Sequence, residues 1–245
     1  MSTVVILGAT SAIAEQFARL YACAGNHLIL VARNMPALEE VKQDLISRGT
    51  DQVDCLEHDF SISENTAELR ARVEGMSGDI DILLLTYGTL PDQDKCTSDL
   101  DYTKREFELN GLNPILTISA FSEHFKKRKR GTIAAISSVA GDRGRQSNYL
   151  YGSAKAALSV YLSGLRNTLS EYNVQVLTIK PGFVDTPMTK DFKKGLLWVK
   201  PEKVAKDIKK AIDKKKNILY TPWFWQWIML IIKHIPEFIF KKLKL

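Results

Sequence analysis

The chain has 245 residues, of which 45% are hydrophobic and 25% are charged, and its formal net charge is +6. This length suits one α/β domain, the hydrophobic content argues against a disordered chain, and no secretory signal precedes the first apolar run. The three cysteines, Cys23, Cys55 and Cys96, match no metal-ligand spacing, so we expect reduced thiols, a cytoplasmic protein and no metal site.

The chain opens with an apolar run, then small residues, then an amphipathic stretch. Val4 to Leu7 predict the first strand, Gly8-Ala-Thr-Ser-Ala-Ile-Ala14 a turn, and the residues through Tyr21 a helix. This order is typical of a doubly wound nucleotide-binding fold. Small residues let the backbone approach a pyrophosphate, and the helix N-terminus attracts its charge. Taken alone, the loop is equally compatible with an ordinary strand, turn and helix.

The second predicted strand bears on the choice of cofactor. It runs from His27 to Val31 and is followed by Ala32 and Arg33. In such folds an acidic residue here holds the adenosine ribose, whereas an arginine accommodates a 2′-phosphate. Because Ala32 takes the place of the acid, Arg33 favours NADP over NAD. The alternative is that Arg33 is a solvated loop residue.

The rest of the chain alternates between apolar runs and helical patterns. Further strands are predicted at 53–56, 80–85, 133–136, 174–179 and 218–220, and further helices at 36–48, 102–125 and 201–214. Residues 80–85 are almost wholly apolar, as a strand buried on both faces should be. The cations at 126–130 are interpreted as a solvated cap at a helix end rather than a nucleic-acid site. The pattern predicts one Rossmann-like α/β domain over residues 1–222, a doubly wound parallel sheet of about seven strands between two layers of helices.

Residues 132–155 carry the groups suited to chemistry. A buried strand ends in Ser137 and Ser138, and a helix containing Tyr151 and Lys155 follows. Residues four apart share one helical face, about 5–6 Å from each other. A nearby cation lowers the pKa of a phenol, so a hydroxyl, a phenol and an ammonium together suit proton transfer to or from an oxygen atom. The alternative is a core tyrosine and a surface lysine on one helix.

The Ile-Ser-Ser-Val-Ala-Gly strand end followed by Tyr151 and Lys155 resembles the Ser…Tyr-x-x-x-Lys signature of the short-chain dehydrogenases/reductases. This resemblance covers nearly the whole chain and implies reversible hydride transfer between NADP(H) and a carbonyl or secondary alcohol. It implies that Ser138 hydrogen bonds the substrate oxygen, that Tyr151 protonates it, and that Lys155 lowers the Tyr151 pKa and binds the nicotinamide ribose. The rival hypothesis is a dinucleotide-sensing scaffold that regulates a partner without turnover.

The same resemblance implies further roles. Asn110 matches a helix asparagine that holds a water for proton relay, although it could be an ordinary polar helix residue. Gly8 matches the first glycine of a Gly-x-x-x-Gly-x-Gly loop, whereas Ala12 and Ala14 replace the other two and take space in a tight turn. The expected cofactor contacts are Gly8, Thr10, Ser11, Ile13, Arg33, Asp59, Gly88, Tyr151, Lys155, Val184 and Thr186. Family members usually form homodimers or homotetramers through the helices that hold Asn110 and Tyr151.

Two segments near the C-terminus differ in composition from the rest. Residues 187–200 are predicted as a substrate loop or lid, and residues 223–245 as an extension rather than a separate domain. The extension combines three tryptophans with Lys233, Lys241, Lys242 and Lys244, and its apolar run is about half of the ~20 residues that span a bilayer. Such a composition favours a helix lying in a membrane interface. The alternative is a tail that docks on its own subunit or on a symmetry mate.

The loop after Ser138 and the tail are similar to the reductase half of the decaprenylphosphoryl-ribose epimerases. This resemblance implies a keto sugar on a polyprenyl phosphate as substrate and peripheral contact with the inner membrane face. Arg143 and Arg145, between Ser138 and Tyr151, would then receive the lipid phosphate. A small water-soluble carbonyl or alcohol substrate stays open, and no nucleic-acid partner is expected.

Overall fold

A computed structural model describes residues 2–22, 25–50, 52–62 and 65–243, so Cys23 and Lys244 lie outside the described residues. Within these ranges seven parallel strands form one sheet, in the order β3-β2-β1-β4-β5-β6-β7. The strands are β1 Thr3–Leu7, β2 His27–Ala32, β3 Val53–Glu57, β4 Ile82–Leu85, β5 Thr132–Ile136, β6 Gln175–Pro181 and β7 Ile218–Thr221. The helices are α1 Ala12–Ala22, α2 Met35–Ser47, α3 Thr66–Ser77, α4 Gln93–Ser98, α5 Leu100–Phe107, α6 Asn113–Arg128, α7 Tyr149–Ser170, α8 Pro201–Asp213, α9 Trp225–His234 and α10 Glu237–Phe240.

The sheet is buried on both faces, as the apolar runs predict. Successive side chains of a strand point to opposite faces, so Val4 and Ile6 join one core and Val5 and Leu7 join the other. Helices α1, α2 and α8 cover the first face, while α3, α6 and α7 cover the second. The predicted three-layer, doubly wound α/β fold is therefore confirmed.

The strand order reverses between β1 and β4. After β1 the chain moves outward to β2 and β3 and then returns to the other side of β1 to form β4. In open α/β sheets, ligands bind outside the carboxyl ends of the strands at such a reversal. The turn after β1, the ends of β4 and β5, and the start of α7 meet there.

The predicted long helix over 102–125 is interrupted. The structure has α5, then a π-helical turn over Glu108–Leu112, then α6 with Pro114 in its first turn. Gly111 in this turn lies against α7, where a Cβ atom would come within 3.2 Å of the Ala154 backbone. Single π-helical turns inside helices occur frequently at functional sites. Here the turn contains Asn110, which is fully buried.

The basic run at 126–130 is only partly the predicted solvated cap. Arg128 is nine-tenths buried and pairs with Asp79 and Asp81 at the opposite end of the sheet from the carboxyl ends of the strands. Lys129 ends α6 in the left-handed conformation, with φ of 55°. The pairing of Arg128 ties α6 to the loop before β4, which is a structural role.

The tail docks on its own subunit through one face of α9. Trp225 and Met229 are buried and pack against Val139, which lies just after Ser138. The opposite face remains exposed, with Trp227 at 57% and Ile231 at 69% of full exposure. In the described part of the chain, no helix has the length and apolar character needed to cross a bilayer. Of the two interpretations of the tail, docking on its own subunit therefore accounts for the inner face of α9.

Candidate active site

A cleft with a volume of about 380 Å³ opens at the carboxyl ends of β1, β4, β5 and β6. The turn after β1 and the π-helical turn line one side, and the segment 187–200, predicted as a substrate loop or lid, contributes to the other. The cleft contains both polar and apolar groups. Its lining includes the predicted residues Thr10, Ser11, Ile13, Gly88, Asn110, Ser138, Arg145, Tyr151, Lys155, Val184 and Thr186.

Ser138, Tyr151 and Lys155 meet in this cleft. The Ser138 and Tyr151 side chains are hydrogen bonded to each other, and the Lys155 ammonium lies 5.7 Å from the centre of the Tyr151 ring. Lys155 is 3% exposed, and its Nζ donates a hydrogen bond of 3.3 Å to the Ile136 carbonyl. The neighbouring Ser137 instead bonds to Ser159 and to the Lys155 carbonyl, so the two serines have separate roles.

Burial has the largest effect on the pKa values of both Tyr151 and Lys155. Burial raises the pKa of Tyr151 to about 12, while the hydrogen bond with Ser138 acts in the lowering direction. Burial lowers the pKa of Lys155 from 10.5 to about 8. The predicted lowering of the Tyr151 pKa by Lys155 is thus outweighed by desolvation. Tyr151 is a protonated phenol at neutral pH and can donate its proton to an oxygen atom.

Gly88 lets Asn110 and Lys155 approach the backbone after β4. Its φ of 153° lies in the region that favours glycine, and an added Cβ would lie 2.9 Å from Asn110 Oδ1 and 3.4 Å from Lys155 Nζ. Asn110 Oδ1 accepts from the Thr89 backbone N–H at 2.9 Å. Its Nδ2 donates to Thr89 Oγ1 and to the Glu106 carbonyl. The Asn110 side chain therefore fixes the loop after β4 next to Lys155.

The turn after β1 has the features that a dinucleotide requires. Gly8 has φ of 88° and packs so closely on Tyr87 that a Cβ would lie 2.6 Å from its backbone nitrogen. Ser11 Oγ accepts from the Ala14 N–H at the start of α1, whose N-terminal end carries partial positive charge. Ala12 lines the cleft and Ala14 is buried in the core, so helix α1 accommodates both added methyl groups. These residues fit a pyrophosphate group at this helix end.

Arg33 and Asp59 lie beyond the cleft lining, after β2 and β3. Arg33 is exposed, and its charge contributes to lowering the pKa of Asp59. The larger cause of that lowering is a hydrogen bond that Asp59 accepts from the Ser61 backbone N–H at 2.9 Å. His58, just after β3, packs against Phe60, and burial lowers its pKa.

Thr86 and Tyr87 follow β4 and connect its end to neighbouring elements. Thr86 Oγ1 donates to the Leu7 or Gly8 carbonyl and so joins β4 to the end of β1. The Tyr87 ring stacks on Phe60 at 4.0 Å, and its hydroxyl bonds to Thr117. These contacts fix the loop after β4 against the end of β1 and against α6.

Aromatic rings line the lid side of the cleft. Phe183 stacks on Trp198 at 5.3 Å and contacts Trp225 of α9 edge-to-face at 5.2 Å. Phe192 also lines the cleft and lies 6.5 Å from Trp198. Gly182 has no room for a side chain, because an added methyl would overlap the Trp225 indole. The tail thus packs directly behind the segment that carries Val184 and Thr186.

The structure separates the two arginines predicted as phosphate ligands. Arg143 does not line the cleft, and its guanidinium donates to the Ile232 and Ile235 carbonyls at 2.6 and 2.7 Å. It also pairs with Glu237 at 2.9 Å and covers the Phe240 ring at 3.6 Å. The prediction for Arg143 is therefore wrong, since this side chain holds the C-terminal end of α9. Arg145 does line the cleft.

A buried ion pair behind the site was missed by sequence reasoning. Asp142 Oδ1 pairs with Lys180 Nζ at 2.5 Å, and Asp142 Oδ2 accepts from the Tyr220 hydroxyl at 2.7 Å. Lys180 lies on β6 and Tyr220 on β7, so this contact anchors the turn after Ser138 to two strands. No local pattern signals it, because Asp142 and Tyr220 are 78 residues apart.

Comparison with known proteins identifies relatives over nearly the full length. The family model described as short chain dehydrogenase matches residues 2–196. An uncharacterized oxidoreductase of Mycobacterium tuberculosis is 30% identical over 240 residues, covering 98% of this chain and 96% of that protein. Dehydrogenase/reductase SDR family member 7B of Mus musculus is 28% identical, covering 90% of this chain and 73% of that protein.

Solved structures share the fold. An alcohol dehydrogenase from Thermococcus sibiricus complexed with 5-hydroxy-NADP superposes with a TM-score of 0.79 at 23% identity, covering 90% of this chain and 95% of the other. A 7α-hydroxysteroid dehydrogenase complexed with NADH and a 7-oxo bile acid conjugate has a TM-score of 0.80 at 21% identity, covering 90% and 92%.

Proposed function

The chain belongs to the short-chain dehydrogenase family of oxidoreductases, and we propose that it interconverts a carbonyl and a secondary alcohol with NADP(H), using Tyr151 as the acid and base. One observation carries this proposal. The Tyr151 hydroxyl is hydrogen bonded to Ser138, and the Lys155 ammonium lies 5.7 Å from the centre of the Tyr151 ring, in a cleft at the reversal of strand order.

The roles of these residues follow from their protonation and position. A bound nicotinamide supplies or accepts the hydride. In the reducing direction, the Ser138 hydroxyl donates a hydrogen bond to the substrate oxygen, and Tyr151 donates its proton as charge develops there. A raised pKa keeps Tyr151 protonated and ready to donate. The Lys155 ammonium stabilises the phenolate left behind, and Asn110 supports the relay that restores the proton.

For the cofactor, we favour NADP over NAD. Arg33 is exposed just past β2, and the neighbouring position holds Ala32 rather than an acid that would repel a 2′-phosphate. Thr10, Ser11 and Ile13 line the cleft at the start of α1, where a pyrophosphate would lie. Asp59 would face the adenine, and Val184 and Thr186 the nicotinamide amide.

The rival proposal is a dinucleotide-sensing scaffold without turnover. A sensor needs the turn after β1 but has no use for a buried ammonium, which is costly to maintain. The decisive experiment is turnover of NADPH and NADH with a panel of ketones, comparing the parent with Tyr151→Phe. We expect Tyr151→Phe to lower kcat by roughly 10²–10⁴-fold with little change in cofactor binding.

The matched control is Tyr149→Phe. Tyr149 lies two residues away, is 47% exposed and bonds to Thr97, so its loss should leave kcat nearly unchanged. Near-normal turnover by Tyr151→Phe would show that Tyr151 is not the acid. Absence of turnover by the parent with every carbonyl compound, despite dinucleotide binding, would favour the scaffold.

For the substrate, we propose a lipid-linked keto sugar reached at the inner face of a membrane. The exposed face of α9 carries Trp227, Leu230 and Ile231, and Lys233 is exposed beside them. A lysine near an anionic bilayer contributes about 1 kcal/mol of attraction, and apolar side chains enter the acyl boundary.

Co-sedimentation with anionic liposomes at low and high salt tests the membrane contact. Because α9 is half buried, the variant is a Trp227→Ser and Ile231→Ser double substitution rather than a truncation. Leu100→Ser, at an apolar side chain that is 81% exposed on α5, is the control. We expect liposome binding by the parent and the control and loss of binding by the double variant. Absence of binding by the folded parent would remove the membrane contact and leave a soluble carbonyl substrate.

We further propose a homodimer or homotetramer formed through α6 and α7. Val160 on α7 and Leu116 on α6 are apolar and exposed in the single chain, as interface residues would be. Light scattering coupled to size exclusion measures the assembly. Val160→Glu should shift it towards the monomer, and a monomeric parent would contradict the proposal.

A further inference from the structure

Among the described residues, three buried side-chain atoms lack a hydrogen-bond partner: Arg145 Nε, Asn148 Oδ1 and Trp225 Nε1. Both Arg145 and Asn148 line the cleft beside Tyr151. A buried donor or acceptor left unpaired is costly, so each such group calls for an explanation. Of the two atoms in the cleft residues, Arg145 Nε is a hydrogen-bond donor and Asn148 Oδ1 is an acceptor.

A backbone hydrogen bond links the two residues that carry these atoms. The Asn148 N–H donates to the Arg145 carbonyl at 3.1 Å, which forms a tight turn directly before α7. Asn148 is the N-cap residue of α7, a position where asparagine usually bonds to the first turn of its own helix. Here the side chain makes no capping bond, and its oxygen remains available to the cleft.

Arg145 is equally unengaged. Its guanidinium has no ion pair or hydrogen bond with the described residues, and burial lowers its pKa while the charge of Asp142 opposes that effect. Nearby Arg143, by contrast, has four acceptors in the tail. An arginine that lines a cleft and has no acceptor from the protein can bind a ligand that carries a hydrogen-bond acceptor.

Aromatic rings also line the cleft. Trp198 lies 5.3 Å from Phe183 and 6.5 Å from Phe192 between ring centres, and all three side chains line the same space. The cleft therefore combines the polar groups of Arg145 and Asn148 with aromatic surface. A ligand that matches both parts has an oxygen function near its reacting carbon and an apolar body.

We propose that Arg145 and Asn148 form a subsite for a hydroxyl group of the substrate, next to the carbonyl that Tyr151 protonates. The substrate hydroxyl accepts a hydrogen bond from Arg145 Nε and donates one to Asn148 Oδ1. A single hydroxyl group therefore gives both unpaired atoms a partner. The substrate class is then a hydroxylated ketone with an apolar portion that lies on Phe183 and Trp198. This inference rests on the proposed reductase function and adds the determinant of substrate choice.

The test compares matched ketones with and without an adjacent hydroxyl group, such as acetophenone and cyclohexanone against their α-hydroxylated forms. The full-length protein is assayed with NADPH, and kcat/KM is measured for both members of each pair. A site built to bond a substrate hydroxyl rejects the analogue that lacks it. We expect the parent to prefer the hydroxylated member by about 100-fold or more, the combined worth of a neutral and a charged hydrogen bond.

Substitutions then assign the preference to the two residues. Asn148→Ala should lower this preference by about 3–10-fold and Arg145→Gln by about 10–100-fold, because the loss of kcat/KM falls mainly on the hydroxylated member of each pair. Gln146→Ala, at an exposed residue of the same loop outside the cleft lining, is the control. Thermal melting of each variant verifies folding, and Arg145→Lys serves if Arg145→Gln does not fold.

The outcomes separate this inference from the function it rests on. Reduction of ketones without a preference for any hydroxylated member overturns the subsite and leaves the reductase. The subsite is also overturned if the variants slow both members of a pair equally. If the parent reduces no carbonyl compound with either cofactor, the reductase itself is refuted, and the subsite with it.

Discussion

Replacing Lys155 by methionine should stabilise the folded protein while removing its activity. Lys155 is 3% exposed, and burial lowers its pKa from an ordinary 10.5 to about 8. At about 1.36 kcal/mol per pH unit, keeping this ammonium charged in the folded state costs roughly 3 kcal/mol. Methionine has a similar length and no charge to desolvate.

The gain is partly offset by lost contacts. The Lys155 ammonium donates to the Ile136 carbonyl at 3.3 Å, and the variant gives up this bond. A bond to a charged group is worth about 1.5–3 kcal/mol at good geometry, and this one is long. We therefore expect a net stabilisation of about 1–2 kcal/mol at neutral pH, which corresponds to a rise in Tm of about 2–8 °C for a chain of this size.

The stability difference between Lys155→Met and the parent should depend on pH. Below pH 8 Lys155 is charged in both the folded and the unfolded chain, so the desolvation penalty is fully present. Between about pH 8 and 10.5 the folded chain loses this proton while the unfolded chain keeps it, and the stability of the parent rises. The advantage of Lys155→Met should therefore be largest near pH 7 and shrink as the pH approaches 10.5.

Urea unfolding without cofactor, at about pH 7 and about pH 9.5, measures both effects. Lys206→Met, at an exposed lysine of α8, controls for a general effect of methionine and should change the free energy of unfolding little. The reasoning would be refuted if Lys155→Met were less stable than the parent at neutral pH. An advantage of equal size at both pH values would also refute it, because desolvation of a charge could not be the cause.

Three further predictions concern the cofactor and the tail. Arg33→Ala should weaken NADPH binding by about 1.5–3 kcal/mol and leave NADH binding nearly unchanged, as measured by fluorescence titration; equal binding of both cofactors by the parent would contradict it. Gly182→Ala should displace Trp225 and destabilise the protein by about 1–3 kcal/mol in thermal melting, whereas Gly195→Ala, with open space around it, should not. Arg143→Ala should loosen the C-terminal end of α9 and speed proteolysis within the tail with little change in kcat/KM, because Trp225 and Met229 still pack on the domain, whereas a phosphate ligand would show the opposite pattern.

Local sequence patterns were sufficient for the fold and for the centre of the site. The apolar runs at Val4 to Leu7 and at Ile82 to Leu85 are strands of a sheet that helices cover on both faces. Alternate side chains of such a strand point to opposite faces, so every residue must be apolar for both faces to be buried. Tyr151 and Lys155 meet because four residues make about one helical turn, which depends on nothing outside α7. Such features are set by neighbours in the chain, and they could be predicted from it.

Other features depended on contacts between distant parts of the chain. Arg143 and Arg145 look equivalent in sequence, but Arg143 binds carbonyls 89 and 92 residues away, while Arg145 faces the cleft. The shifted pKa of Lys155 arises from burial under the loops after β4 and β5, not from its spacing to Tyr151. The tail has apolar residues all round, so its pattern did not predict which face of α9 would dock. The tertiary structure decided these points because desolvation and hydrogen bonding depend on which groups pack together in space.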